Sequence, residues 1–320
     1  MHIGFFVFAD FQLLDLTGPV TAFQIAGSLC EPAAYTLSVF SLSGGAIASS
    51  AGVTIDTLPA DSLAPEMDTL ILCGGHGVAR FRDDDKAIRR LAALAVRPRR
   101  VASVCTGAFL LAGMGLLAGK RATTHWRHVA RLQKAHPQVR VDGDKIFIRD
   151  GRVWTSAGIT SGIDLSLALI EDDLGQAASR EVAREMVVYQ RRTGGQSQFS
   201  PMLQMEPDSG RIKRALDYAQ QHLRDDLSVD RLAQVACLSR RQFSRAFKRE
   251  TGESPARAVE RLRVEAARAR VEQGSEPIDL IAKNVGFINQ ERMRRAFLRC
   301  LGLPPQAIKR LSRAPAGSSR

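Results

Sequence analysis

The 320-residue sequence has no apolar run long enough to cross a membrane. Its longest, Val101 to Gly119, is broken by Ser103, Thr106 and four glycines, and falls short of the roughly 20 strongly apolar residues of a membrane span. The opening "MHIGFFVFADF" has no basic lead segment and meets an acid at Asp10. It reads as a first core strand and not as a signal peptide, so the expected location is the cytoplasm, with no membrane partner. The cysteines Cys30, Cys73, Cys105, Cys237 and Cys300 are odd in number and lack CxxC spacing, which argues against both a disulfide framework and a zinc site. No metal and no cofactor is expected, and any special cysteine would act as a free thiol. Low-complexity sequence is nearly absent. The length and 45% hydrophobic content instead fit a soluble chain of two domains, each with its own core.

An excess of charge is also missing from the first two thirds. Residues 1 to 208 hold 21 Lys+Arg and 21 Asp+Glu, whereas residues 209 to 320 hold 24 and 12. All of the formal net charge of +12 therefore lies in the last third. A neutral domain followed by a basic one points to a polyanion-binding module joined to something else; the alternative is a merely solvated basic surface.

The first part alternates short apolar or β-branched runs, "HIGFFVF", "YTLSVFSL", "TLILCGG" and "RRVASVC", with turn and helix signals. This is the pattern of an α/β domain on a parallel sheet. Further on, "KIFIRDGRVWTSAG" is a hairpin candidate with Asp150-Gly151 as its turn, and "SGIDLSLALIEDDLG" returns to helix. Between Gly194 and Gly210 the sequence is rich in Gly, Gln, Ser and Pro without a period, and the domain boundary is placed there. The expected organisation is a domain over 1–193, a linker over 194–209, an all-α domain over 210–310 and a loose tail over 311–320.

The basic third contains a repeat. "LAQVACLSRRQFSRAFKRETGESP" from Leu232 and "IAKNVGFINQERMRRAFLRCLGLPP" from Ile281 align at an offset of 49 in the first helix and 50 in the second, with one extra residue in the second turn. Each copy reads as a helix, a short turn and an arginine-studded helix, the helix-turn-helix arrangement. In the first copy Phe243 and Phe247 share a face and should pack on Leu232, Val235 and Leu238. Arg240, Arg241, Gln242, Ser244, Arg245 and Lys248 then face outward, and Ser239 is placed to N-cap the helix. In the second copy Met293 and Phe297 are inward, and Asn289, Gln290, Glu291, Arg292 and Arg295 form the outward set. Arginine can read guanine, and Asn or Gln can read adenine, so both faces suit base-edge and phosphate contact. Two ordinary helical hairpins with basic surfaces are the plainer alternative. The stretch between the copies predicts a helix of about 20 residues, about 30 Å long, able to hold two recognition helices about one DNA turn apart.

In the first domain, "RRVASVC" followed by "TGAFLLAG" sets Cys105 at a strand-to-helix bend, the logic of a nucleophile elbow. A thiol at a helix N-terminus is favoured as thiolate. A buried, inert cysteine is the other reading of the same residues, and the stretch alone does not separate them.

Residues 210 to 310 resemble the DNA-binding domain of the AraC/XylS family of bacterial transcriptional regulators, on "LAQVACLSRRQFSRAFKRETGESP", the linking helix, "IAKNVGF" and "RRAF". One departure is Met293, where the family pattern commonly has an aromatic; methionine fills the same kind of core. The segments "LLDLTGPVTAF", "LILCGGHGVARF", "CTGAFLLAGMGLLAGKRATTHW" and "TSAGITSGIDLSLALIEDDLG" resemble the DJ-1/PfpI superfamily, related to class I glutamine amidotransferases. The likeness is strongest for AraC-type regulators with this domain at the front, the GlxA family. It implies a parallel-sheet sandwich followed by two helix-turn-helix units. It places the superfamily's nucleophile at Cys105 beside Asp15, Thr106 next to it, an oxyanion-hole-like loop at Gly74 and Gly75, and His125 of "TTHW" as the nearest imidazole.

His125 and Trp126 read either as pocket wall or as base machinery, and His76 either as loop surface or as pocket. The same residues resemble isocyanide hydratases, so a cysteine enzyme fused to a DNA-binding module is the alternative function. The expected function is a regulator that is not an enzyme. Its first domain would sense a small molecule, which the resemblance to related regulators implies is an amine or amino-acid derivative, through Asp15, Gly74, Gly75, Cys105, Thr106 and His125. Its expected partners are promoter DNA, RNA polymerase and a second copy of the chain.

Overall fold

A computed structural model describes the chain except residues 31, 32, 64, 65, 83, 189–191, 193, 195–197, 199–204, 206–209, 275 and 314–320, with backbone alone at 82, 273 and 311–313. It divides into two compact units, Met1–Gln198 and Phe199–Arg320.

The first unit is built on eight strands: β1 (His2–Phe6), β2 (Thr36–Ser41), β3 (Gly45–Ala48), β4 (Thr54–Pro59), β5 (Thr69–Leu72), β6 (Arg100–Ser103), β9 (Phe147–Asp150) and β10 (Val153–Ser156). Their order is β3-β4-β2-β1-β5-β6-β10-β9. The six inner strands run parallel, as the alternating sequence pattern predicts, while β3 and β9 pair antiparallel at the two edges. β5, β6 and β10 are buried along their whole length, because helices cover both faces of a parallel sheet. The hairpin turn falls one residue later than expected: Asp150 still pairs with Val153, so Gly151 and Arg152 form the turn, and Gly151 takes the left-handed φ of 63° that the turn needs. A separate two-stranded ribbon joins β7 (Arg121–Ala122) to β8 (Arg140–Val141).

Around the sheet lie α1 (Leu13–Ser28), α2 (Val78–Arg82), α3 (Asp85–Leu94), α4 (Ala108–Gly113), α5 (Val129–Ala135) and α6 (Ser161–Glu185), the last broken at Gly175. α1 packs on α6 so closely that a Cβ at Gly18 would lie 2.9 Å from the Ile163 side chain. Among the described residues, no helix is long and apolar enough to cross a membrane.

The second unit is helical: α7 (Gly210–Gln221), α8 (Val229–Val235), α9 (Arg240–Thr251), α10 (Pro255–Gln273), α11 (Ile278–Asn284), α12 (Gln290–Leu301) and α13 (Pro305–Arg313). The last helix runs three residues into the segment expected to be a loose tail; the remaining seven lie outside the described residues. Two cores form. Phe243 and Phe247 pack with Leu232 and Leu238 in the first, and Met293 and Phe297 with Ile281 and Val285 in the second, while Val235 stays outside the cluster. The 19-residue helix α10 serves both, with Ala258, Val259 and Leu262 in one core and Val264, Ala267 and Val271 in the other. Its ends are fixed locally, by Ser254 capping ahead of Pro255 and by Gly274 in a left-handed conformation.

Candidate functional site

Four neighbouring strands, β1, β5, β6 and β10, run parallel, so the segments leaving their carboxyl ends converge on one crevice, the usual place for a ligand in an open α/β sheet. α1 follows β1 and brings Asp15 in its first turn. Gly74 and Gly75 follow β5, Cys105 and Thr106 follow β6, and Ile159 follows β10. Cys105 is held in a left-handed conformation, φ 56°, and so are Ile159 at 56° and Asp10 at 64°. Such angles are uncommon away from glycine and strained for a β-branched residue. Here they are over-determined: the Cys105 amide donates to the Ala157 carbonyl at 3.0 Å, and the Cys105 carbonyl accepts from Thr124 Oγ1 at 2.8 Å.

Asp15 is wholly buried. Its carboxylate accepts the Gly74 amide at 3.1 Å and the Ile159 amide at 3.2 Å, and bonds to the Cys105 thiol. Burial nevertheless dominates and raises its pKa from 3.8 to about 7. The thiol, 8% exposed, is pushed well above the ordinary cysteine range, first by burial and then by the negative charge of Asp15. The expectation that a helix N-terminus would favour thiolate is therefore outweighed. Cys105 opens only a single 3₁₀ turn before α4, while the thiol and its carboxylate neighbour are shut away together.

Gly74 and Gly75 fit the site by lacking side chains. A Cβ on Gly74 would sit 2.6 Å from the Thr106 amide nitrogen and 2.8 Å from Asp15 Oδ2. Their amides, however, are already used: Gly74 donates to Asp15, and Gly75 donates to Thr106 Oγ1 at 2.8 Å. Thr106 Oγ1 in turn donates to the Gly75 carbonyl at 3.1 Å. This loop holds the carboxylate and the threonine in place and presents neither amide to an oxyanion.

His125 is half-buried and follows Thr124, whose hydroxyl holds the Cys105 carbonyl. Its Nδ1 accepts the Arg127 amide at 3.3 Å, and its ring packs over Gly158, where a Cβ would come within 3.0 Å of Cγ. It stacks on Trp126, which is 44% exposed, and neighbours His128, whose ring meets Phe109 edge-on. Burial and the nearby Arg127 keep both imidazoles below their ordinary pKa, so they are neutral at pH 7. His76 lies close enough to His128 to help lower its pKa. Ile159, His128 and Phe109 escaped the sequence reading. His128 follows His125 by one turn of the short helix, a spacing that could have flagged it. Among the described residues no cluster could hold a metal ion.

In the second unit the outward residues are exposed, apart from half-buried Ser244: Ser239, Arg240, Arg241, Gln242, Arg245 and Lys248 at α9, and Asn289, Gln290, Glu291, Arg292 and Arg295 at α12. Several already have intramolecular partners. Ser239 caps α9, and Gln242 Oε1 accepts the Ser239 amide at 3.2 Å in a reciprocal capping box. Asn289 Oδ1 caps α12 through the Arg292 amide at 2.8 Å. Glu291 pairs with Arg294 at 3.4 Å and Arg295 at 3.2 Å, and Arg240 pairs with Asp230 at 3.4 Å. Among the described residues no ion pair involves Arg241, Arg245, Lys248 or Arg292. The turn ahead of each recognition helix holds one left-handed residue, Cys237 in the first copy and Gly286 in the second. Only glycine fits at 286, since a Cβ would lie 1.8 Å from the Leu223 carbonyl oxygen.

A buried thiol beside a buried acid, on a chain that also builds two capped, cationic recognition helices, defines a transcriptional regulator of the helix-turn-helix class. Comparison with known proteins agrees. Residues 1–172 match the DJ-1/PfpI family and residues 232–311 match a helix-turn-helix domain. The chain belongs to the DJ-1/PfpI family, in the branch joined to an AraC-type module. It is 30% identical over 306 residues to the HTH-type transcriptional regulator GbdR of Pseudomonas aeruginosa, covering 95% of this chain and 83% of that one. Isonitrile hydratase of Pseudomonas putida is 33% identical over 175 residues, 55% of this chain and 73% of the hydratase. The crystal structure of an AraC family transcriptional regulator from Pseudomonas putida superposes with a TM-score of 0.51 at 22% identity, over 58% of this chain and 98% of that one.

Proposed function

We propose that this regulator binds promoter DNA through α9 and α12 and answers to a small molecule held at the Asp15–Cys105 crevice. The observation that carries the DNA reading is the set of exposed guanidinium and ammonium groups without acidic partners among the described residues, Arg241, Arg245, Lys248 and Arg292, on two recognition helices whose N-termini are already capped. Such groups can reach phosphate and guanine edges without first breaking an ion pair. Ser239, Gln242 and Asn289 serve first as caps, and Arg240, Glu291 and Arg295 must exchange internal partners for DNA; Gln290 completes the set. Asp15, Cys105, Thr106 and His125 line the sensing site, with Gly74 and Gly75 as its scaffold. The effector is an amine or amino-acid derivative. It shifts the population between two states of the regulator, which acts as a cytoplasmic homodimer in concert with RNA polymerase. The domains would span 1–193 and 210–310, joined by the linker 194–209.

The retained Cys105, Asp15 and Thr106 constellation favours a second reading, a cysteine enzyme like the hydratase. Against it stand the thiol's raised pKa, the spent Gly74 and Gly75 amides, and the absence among the described residues of an imidazole bonded to the thiol; covalent catalysis needs an activated nucleophile. Duplex binding followed against salt concentration tests the main reading. Arg241→Ala with Arg245→Ala is expected to weaken binding and to lower the salt slope by about one for each phosphate no longer neutralised. Unchanged affinity and slope would sink it. A thermal-shift screen of small amines and amino acids tests the sensor, because a ligand of the native state raises Tm.

A further inference from the structure

The two halves of the helical unit hang on one rod. In α10, Ala258, Val259 and Leu262 belong to the core of the first half and Val264, Ala267 and Val271 to that of the second, so Arg263 stands at the crossover. A helix fixes separation along its axis, 1.5 Å per residue, but long helices bend, and a rod by itself leaves the angle between two heads loosely set. Half-buried Arg263 adds a brace at that point. Its Nε donates to the Leu223 carbonyl at 3.0 Å and its Nη2 to the Asp225 carbonyl at 3.1 Å. Both carbonyls lie just past the end of α7, where the helical ladder supplies no donor and a cation is favoured.

The same Leu223 carbonyl lies under the turn of the second copy. A Cβ at Gly286 would overlap that carbonyl group and lie 2.8 Å from Arg263 Nε. The next residue, Phe287, packs on the second core, whereas Leu223 packs on the first. The end of α7, the middle of α10 and the turn before α12 therefore meet at one peptide group. The matching position in the first copy is Cys237, also left-handed at φ 53°, yet exposed and carrying a side chain. A left-handed turn thus tolerates a side chain; it is the Leu223 carbonyl that forbids one at 286. A further link between the halves, Glu260 with Arg299 of α12, leaves the arginine 59% exposed, and such pairs contribute little in water. We infer that the Leu223–Arg263–Gly286 contact locks the angle between α9 and α12 and so fixes the spacing of the two DNA elements that the regulator accepts. Arg263 is then a positioning residue that determines specificity without reading a base. The inference rests on the reading that α9 and α12 both engage DNA, and it names what sets their register.

Shifting one DNA element by one base pair moves it about 3.4 Å along and about 35° around the duplex, so a rigid pair of heads must lose contacts. The full chain is used to select duplexes from a randomised library. Affinity is then measured on the selected duplex and on versions with one base pair inserted or removed between its two elements. Wild type is expected to enrich a single spacing and to bind the altered duplexes about ten-fold more weakly, whereas Arg263→Met should enrich several spacings and lose only about three-fold on the same change. Glu260→Ala, which breaks the exposed pair, should behave as wild type. Melting temperatures check folding; if Arg263→Met has melted, Arg263→Lys, which keeps one donor for the Leu223 carbonyl, is read in its place and should fall between the two. A wild-type spacing penalty in the folded Arg263 variant overturns the brace, because a merely structural arginine changes stability and overall affinity but not that penalty. Wild type binding all spacings equally overturns it as well. If selection enriches no paired elements, the two-headed reading fails and the brace with it.

Discussion

Asp15 can be tested through pH. Burial raises its pKa from 3.8 to about 7, and the side chain is 0% exposed, so solvent screening does not discount the effect. A carboxyl raised in the folded state keeps its proton across a range where the unfolded chain has lost it. The native state then binds more protons than the unfolded one, and stability falls as pH rises from about 4 to about 7. About three pH units at about 1.36 kcal/mol each give a penalty on the order of 4 kcal/mol by pH 8, about 2.5 kcal/mol of it arriving between pH 5 and pH 8.

Asp15→Asn removes this titration. It also places an NH2 donor where one of two carboxylate oxygens accepts an amide from Gly74 or Ile159, costing about 1–3 kcal/mol at every pH. The variant should gain about 2.5 kcal/mol on wild type between pH 5 and pH 8 and should exceed it in stability at pH 8. His2, His125, His128 and His136, all lowered by burial, contribute the opposite slope, stability lost as pH falls through their range. They do so in both proteins and drop out of the difference. Both tryptophans, Trp126 and Trp154, belong to the first unit, so tryptophan fluorescence during urea unfolding follows that unit alone. Stability curves that stay parallel from pH 5 to pH 8 would refute the assignment of a neutral, buried Asp15.

Two further outcomes follow from the same geometry. Ser239→Ala and Asn289→Ala should each remove about 1 kcal/mol from the second unit by uncapping a recognition helix; thermal unfolding by circular dichroism measures it, and an unshifted Tm in both counts against the caps. Under limiting iodoacetamide at pH 8, exposed Cys237 should be alkylated first and Cys105 and Cys73 last, because burial holds both thiols protonated. Peptide mass spectrometry gives the order, and Cys105 labelling as fast as Cys237 would restore the activated-nucleophile reading.

Much of the second unit was legible because its signals are local. Ser239 with Gln242, the Phe243–Phe247 pair and Gly252 lie within one helix or its ends, and a capping box, a four-residue apolar spacing and a left-handed stop each leave a mark in adjacent sequence. In the first unit the strand runs and the cysteine at its bend were readable for the same reason. What the sequence does not carry is the partner of each hydrogen bond: it shows which groups of Gly74, Gly75, Gln242 and Asn289 can bond, but not that Asp15, Thr106 and two helix starts take them.

The sequence by itself determined two domains, a neutral α/β one and a basic helical one, the repeat of recognition helices, and a cysteine at the end of a buried strand. Periodicity, charge and turn chemistry act over a few residues, so they survive in one dimension. Only the tertiary structure decided that Asp15, Gly74, Cys105 and Ile159 meet and that the thiol stays protonated. Those contacts join residues 31 to 144 positions apart, and the parallel sheet that aligns four strand ends brings them together.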